Sequence, residues 1–413
     1  MNVTKICTGS SRDFMLRCRS STSTSKTTMT ALVVLRRHVH SATATANNVR
    51  TDWTKEEIQK IYDMPLMDLV FRAAAVHRAN FNSREVQQCT LLSIKTGGCV
   101  EDCKYCSQSS RYSTFVKPTP TLKVLEVVEM ARKAKLAGST RFCMGAAWRD
   151  VGENKDRKAF GSVLEMVRQV KGMGLEVCCT LGMLTLDQAQ QLKEAGLTAY
   201  NHNLDTSREF YPEVISTRSY DDRLRTIENV RKAGLSVCSG GILGLGEKHV
   251  DRVALLHQLA TMEQHPESVP INALVAVEGT PLGQQAESVG SDVMSQLPKA
   301  KPPTALEMTR MIATSRVVLP RTMVRLSAGR MGFTQAEQTL MFMAGANSVF
   351  YGDQLLTTPN PEVDKDKELF MALGLRGKPP HSTPLPPDAE PQEESGGVRV
   401  DRVVRQRSQA VSA

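Results

Sequence analysis

One unit recurs along this chain between about Asp52 and Leu375: an amphipathic helical stretch, a glycine, and a short apolar run ending in polar residues. Gly138 precedes Thr140–Gly145, Gly174 precedes Glu176–Thr180, and Gly196 precedes Thr198–Asn203. Gly234 likewise precedes Ser236–Gly240, and Gly345 precedes Asn347–Tyr351. Each glycine suits the left-handed position just past a helix C-terminus, and the β-rich run after it suits a buried parallel strand. With Thr90–Lys95, Val269–Ala273 and Met323–Ser327 there are eight strand candidates separated by helical spacers. That pattern predicts an α/β fold, a (β/α)8 TIM-type barrel over residues 51–375, with a doubly wound open sheet as the rival. Residues Trp53 to Phe81 read as an N-terminal helical extension. Residues 376–413, rich in Pro, Ser, Gln and charge, read as a disordered C-terminal tail.

The formal charge of +9 is concentrated at the front, where residues 1–50 hold eight Lys and Arg against Asp13 alone. The rest of the chain therefore lacks the basic face of a nucleic-acid binder. Abundant Ser, Thr and Arg with almost no acid is the composition of an organelle transit peptide, so residues 1–50 are expected to be one. The mitochondrial matrix is favoured by the Arg excess; a plastid and a cytosolic disordered arm are the alternatives. The longest apolar runs, such as Ala31 to Leu35, fall far short of the roughly 20 residues a membrane span needs. Ten cysteines in 413 residues do not make a small disulfide scaffold, and a reducing matrix favours thiol ligands over cystines.

Three of them stand close together in Cys99-Val-Glu-Asp-Cys103-Lys-Tyr-Cys106, on a loop opened by Gly97 and Gly98 at the end of the first strand. A closed zinc site would need a fourth ligand, and the nearest downstream Cys or His is Cys143. Three thiolates without a fourth suit a [4Fe–4S] cluster with one open iron. A structural zinc knot is the alternative. The strand's C-terminal end is where barrel chemistry resides.

Cys143, Cys178 and Cys238 lie at equivalent depth on three further strands, and Arg325 on a fourth. Because residues two apart share a face, Arg141 accompanies Cys143 and Asn201 accompanies Asn203. Barrel interiors are ordinarily filled by Val, Ile and Leu. Thiols, Arg and Asn there are costly to bury without partners, and a second centre, a [2Fe–2S] cluster, would satisfy them. Core packing is the reading for any one such cysteine alone. Cys179 should face the helix layer, and Cys89, placed before the first strand, receives no role.

The spacing of the triplet resembles the radical S-adenosylmethionine superfamily, and the chain as a whole resembles its biotin synthases. The resemblance rests on Thr96–Gln108, Gly138–Trp148, Tyr200–Thr206, Val237–Gly241 with Gly244–Glu247, Ser268–Asn272, Val324–Arg330 and Leu355–Pro361. It implies that Cys99, Cys103 and Cys106 hold a [4Fe–4S] cluster that cleaves S-adenosylmethionine. It implies also that Cys143, Cys178, Cys238 and Arg325 hold a [2Fe–2S] cluster that donates sulfur to dethiobiotin. Arginine as an iron ligand is owed to the resemblance alone, since guanidinium is a charged, donor-only group.

By the same resemblance Asn203, Asp205, Arg223, Ile242 and Tyr105 would bind S-adenosylmethionine, with Arg223 on the methionyl carboxylate. Glycines 240, 241, 244 and 246 would let backbone approach the nucleoside. Asn203 and Asn272 would meet the ureido ring of dethiobiotin, and Thr357 with Thr358 its carboxylate tail. A homodimer, an electron-donor protein of ferredoxin or flavodoxin type, and the iron–sulfur assembly machinery are the implied partners. Other radical barrel enzymes, which rearrange an amino acid or mature a hydrogenase, share the triplet but generally lack the complete inner set. An electron carrier or zinc module would need neither Asn203 nor Asp205.

Overall fold

The computed structural model describes residues 49–152, 157–287, 300–353 and 355–379. Nearly all of the expected transit peptide and of the expected C-terminal tail lies outside the described residues; Arg50, at the edge of the former, pairs with Asp52 and Glu57.

Two helices lead, α1 (Lys55–Tyr62) and α2 (Leu66–Asn80). The Thr54-x-x-Glu57 sequence starts α1 as a capping box: Thr54 Oγ1 accepts from the Glu57 N–H and Glu57 Oε2 from the Thr54 N–H. The barrel follows as β1 (Glu85–Lys95), α3 (Val124–Leu136), β2 (Arg141–Ala146), α4 (Arg157–Gly172), β3 (Glu176–Thr180) and α5 (Leu186–Glu194). Next come β4 (Ala199–Asn201), α6 (Tyr211–Val214), α7 (Tyr220–Lys232), β5 (Ser236–Cys238), β6 (Gly241–Leu243) and α8 (His249–Ala260). The circuit ends with β7 (Ser268–Ala273), α9 (Pro281–Glu287), α10 (Ala305–Val318), β8 (Met323–Leu326), α11 (Gln335–Met343), β9 (Ser348–Phe350), α12 (Val363–Leu373) and β10 (Arg376–Gly377).

Neighbouring strands are parallel, and β9 returns to β1 through Gln87–Ser348, Gln88–Val349 and Cys89–Phe350, which closes the sheet. The expected barrel is therefore borne out, with β5 and β6 as two pieces of one stave. The break at Ser239–Gly240 lets β5 pair with β7 through Cys238–Ser268 and β6 through Gly241–Ile271. Only glycine fits at 240, where a Cβ would stand 2.0 Å from the Pro270 carbonyl oxygen. The repeat glycines take left-handed backbone, with φ of 103° at both Gly138 and Gly345.

Alternation along the strands sorts side chains into two separate buried sets. Phe142, Met144, Val177, Cys179 and Val237 join the apolar layer under the helices, where each large aliphatic contributes about 2 kcal/mol. Cys89, Cys143 and Cys178 cluster with Ala199 inside the barrel. The packing expected for Cys179 is thus observed.

Two expectations are corrected. β1 begins at Glu85, so Cys89 lies within it and not before it. Polar Gln87 and Gln88 mask the strand in the sequence, yet both are buried, and Gln87 Oε1 accepts from Ser348 Oγ inside the barrel. The ordered chain also passes the expected boundary at 375, because Arg376 and Gly377 pair with Glu85 and Val86.

Candidate active site

The loop after β1 carries the cysteine triplet and folds onto itself. Gly97 and Gly98 turn the chain at φ of 69° and 71°. The Cys99 N–H then donates to the Gln108 carbonyl (3.0 Å), Ser110 N–H to the Cys99 carbonyl (2.7 Å) and Cys106 N–H to the Cys103 carbonyl (2.9 Å). Asp102 fastens the loop to the segment after α6 by accepting from the Ser216 and Thr217 N–H groups at 2.9 and 3.1 Å. Burial alone would raise this carboxyl, but those bonds hold it down to about 2. Burial pushes the Cys103 thiol up to about 12 and the Cys106 thiol up to about 11.

A cavity of about 340 Å³ opens beneath the triplet. Cys99, Cys103 and Cys106 line it from the loop, and Cys143, Cys178 and Arg325 from the strands. Cys238 does not line it; fully buried, its Sγ stands 3.2 Å from Asn201 Nδ2 and 3.7 Å from Arg325 Nη1. The register explains the grouping, since Cys143 pairs with Cys178, Asn201 with Cys238 and Arg325 with Ser348.

Arg325 is 1% exposed and forms no ion pair among the described residues. Its Nε donates to Ser348 Oγ (3.0 Å), and Nη2 lies 3.3 Å from Cys89 Sγ. Burial opposes its charge, but the Cys89, Cys238 and Cys143 sulfurs outweigh this and raise its pKa. Across the lumen Arg141 pairs with Glu176 at 2.8 Å, while its Nη1 is buried with no hydrogen-bond partner, as is Ser268 Oγ.

Such a set calls for an anionic occupant with soft-ligand chemistry. Buried thiols are the donors that iron–sulfur clusters take, ligation deprotonates them, and the resulting negative charge would offset Arg325 and the orphaned Arg141 Nη1. The residues present fit an iron–sulfur cluster both at the loop and inside the barrel.

The segment after β4 lines the same cavity. Leu204 and Asp205 N–H groups both donate to the Gly240 carbonyl (3.1 Å), and Ile242 N–H donates back to the Asp205 carbonyl (2.8 Å). This holds Asp205 at φ 68°, the one non-glycine positive φ among the described residues. Its Oδ2 accepts from Tyr105 OH (2.9 Å) and from Arg223 Nη2. Arg223 also donates to the Asn203 carbonyl (2.6 Å) and Tyr211 OH (2.8 Å). Asn203 Oδ1 accepts from Asn201 Nδ2 and Gly240 N–H, both at 3.2 Å. Asn272 donates to the Gly241 carbonyl (2.9 Å) and accepts from Ala328 N–H (3.2 Å). Thr357 Oγ1 meets Ser107 Oγ at 3.1 Å, tying the segment after β9 to the triplet loop, and Ile242 and Thr358 also face the cavity.

A Cβ at Gly241 would lie 2.7 Å from the Asp205 carbonyl oxygen, and one at Gly244 would lie 2.3 Å from that of Lys301, so on that face these glycines admit close backbone packing. Sequence reasoning missed Cys89, hidden behind two glutamines, and Arg218, which lines the cavity with its buried Nε 3.8 Å from Glu101 Oε2. It also left out His202, a buried cavity-lining residue whose basicity is strongly lowered by burial.

Comparison with known proteins agrees with this geometry. Residues 93–259 match the radical SAM superfamily and residues 270–376 the biotin and thiamin synthesis associated domain. The chain is 60% identical to the mitochondrial biotin synthase of Arabidopsis thaliana over 331 residues, 80% of this chain and 83% of that one. It is 59% identical to the biotin synthase of Cytophaga hutchinsonii, over 79% and 92% of the two chains. Among solved structures, methylornithine synthase aligns with a TM-score of 0.62 at 19% identity, covering 79% of this chain and 94% of that one. A maturase of the [FeFe]-hydrogenase aligns at 0.63 and 16%, covering 78% and 72%, and both show the fold alone. A cavity built between two cysteine sets, on a barrel whose sequence matches these synthases over four-fifths of its length, places the chain in the biotin synthase family of radical SAM enzymes.

Proposed function

We propose that this enzyme converts dethiobiotin to biotin, with Cys99, Cys103 and Cys106 holding a [4Fe–4S] cluster and Cys143, Cys178, Cys238 and Arg325 a [2Fe–2S] cluster. The observation that carries this reading is the cavity itself, with Cys99, Cys103 and Cys106 on its loop side and Cys143, Cys178 and Arg325 on its strand side. When bound, the outer cluster supplies the electron that breaks a carbon–sulfur bond of S-adenosylmethionine, and the inner cluster supplies the sulfur.

The chain's own residues bind, orient and exclude water. Tyr105 and Arg223 share Asp205 Oδ2, which leaves Oδ1 for the ribose hydroxyls. Ile242 offers an apolar contact for adenine. Arg223 has donors left for the methionyl carboxylate beyond the three bonds it makes. Asn203 has its Nδ2 hydrogens for the ureido carbonyl, while Asn272 keeps one donor and one lone pair for the same ring. Thr357 and Thr358 hold the substrate's carboxylate. Leu91, Phe350, Leu355 and Leu356 wall the cavity with apolar surface, which keeps water from a reactive carbon and leaves one short path between the thiol sets.

The test is anaerobic reconstitution with reductant, S-adenosylmethionine and dethiobiotin, which should give biotin with about two 5′-deoxyadenosine per product, one for each carbon–sulfur bond formed. Deoxyadenosine without biotin would overturn the substrate assignment. The reading carries with it a ferredoxin- or flavodoxin-type reductant, the iron–sulfur assembly machinery and a homodimer. It also carries location in the mitochondrial matrix: residues 1–50 fused to a fluorescent protein should send it there, and a cytosolic or plastid signal would overturn that part.

A further inference from the structure

The barrel interior holds one thiol more than the proposed function uses. Cys89 points into the lumen from β1, is fully buried, and clusters with Cys143 and Cys178. Its Sγ is 3.3 Å from Arg325 Nη2, whereas Cys238 Sγ is 3.7 Å from Nη1, so two thiols bracket one guanidinium. Cys89 Sγ therefore stands closer to the Arg325 guanidinium than does the Cys238 thiol assigned to the inner centre.

A second observation points the same way. Arg141 faces Cys89 across the β1–β2 ladder, is 7% exposed, and keeps Nη1 buried without a hydrogen-bond partner. An unspent cationic donor beside an unused thiol marks a place built for negative charge, and the Arg141–Glu176 pair does not use that nitrogen. Thiolate is also the softer and stronger donor to iron, while guanidine must give up a proton before it can bind at all.

We infer that Cys89 is a reserve ligand of the inner centre, which takes the iron position on the Arg325 side when Arg325 is withdrawn. The inference rests on the inner [2Fe–2S] cluster proposed above. In the exchange an iron–nitrogen bond to Arg325 breaks, an iron–sulfur bond to Cys89 forms, and the Cys89 proton passes to the guanidine. No electron moves, and the total charge is unchanged because the new thiolate is matched by the restored guanidinium.

The experiment measures iron, sulfide and Mössbauer spectra of the full chain after anaerobic reconstitution. Wild type and Arg325→Met should both carry about six irons, the sum of the two clusters, and Cys89→Ser/Arg325→Met should lose about a third of them. Equal iron in the single and double variants would overturn the inference. Only about four irons in wild type would instead overturn the two-cluster reading itself. Should the double variant fail to fold, the Arg325→Met spectrum still decides. Two equivalent inner irons, each with two thiolates, support the exchange, and two inequivalent irons refute it.

Discussion

Asp205 holds a left-handed backbone that costs on the order of 1 kcal/mol, and it sits where Tyr105, Arg223 and the Gly240 carbonyl meet. Replacing its charge while keeping its shape separates its two duties. Asp205→Asn should weaken S-adenosylmethionine binding about tenfold or more, read by calorimetry, and lower stability by about 3 kcal/mol in urea because Arg223 loses its carboxylate. Unchanged affinity would remove Asp205 from the nucleoside site. His77 carries a different prediction. Burial lowers its pKa to about 3, so the folded chain holds it neutral while the unfolded chain titrates near 6.5. The unfolded state therefore binds more protons between these values, and stability should fall as pH drops from about 6.5 toward 3. His77→Gln should flatten that slope in pH-dependent melting, and an identical slope would show the histidine is not responsible.

At the scale of elements, the break between β5 and β6 decides where Asp205 lies. Gly240→Ala would drive a methyl into the Pro270 carbonyl and should cost about 1–3 kcal/mol, with loss of nucleoside affinity in the folded fraction. The cap at Thr334, whose Oγ1 accepts from the Glu337 N–H, is a milder control. Thr334→Ala should cost about 1 kcal/mol and leave affinity untouched. Five staves were legible because each follows a glycine-terminated helix, and Cys143 and Cys178 because alternation fixes which residues face inward. Cys89 was not legible, since Gln87 and Gln88 look solvent-bound, and only the fold buries both and gives Gln87 its partners Arg325 and Ser348. Nor was Arg218, whose place in the cavity depends on how the segment after α6 docks against the triplet loop.

For the molecule as a whole, the two thiol sets predict separable losses. Cys143→Ala should leave S-adenosylmethionine cleavage largely intact while ending biotin formation, and simultaneous loss of both in a folded variant would count against distinct roles. Beyond that lies a consequence of the plug at the strands' N-terminal end, where Gln87, Arg141 and Glu176 are tied together and Arg325 reaches Gln87 and Ser348. Among the described residues the triplet loop lies over the end of the cavity opposite that plug. With that lower end tied by side chains, whatever reaches Cys143 and Cys178 from above passes the triplet loop, so the deep thiols should be filled before the loop is.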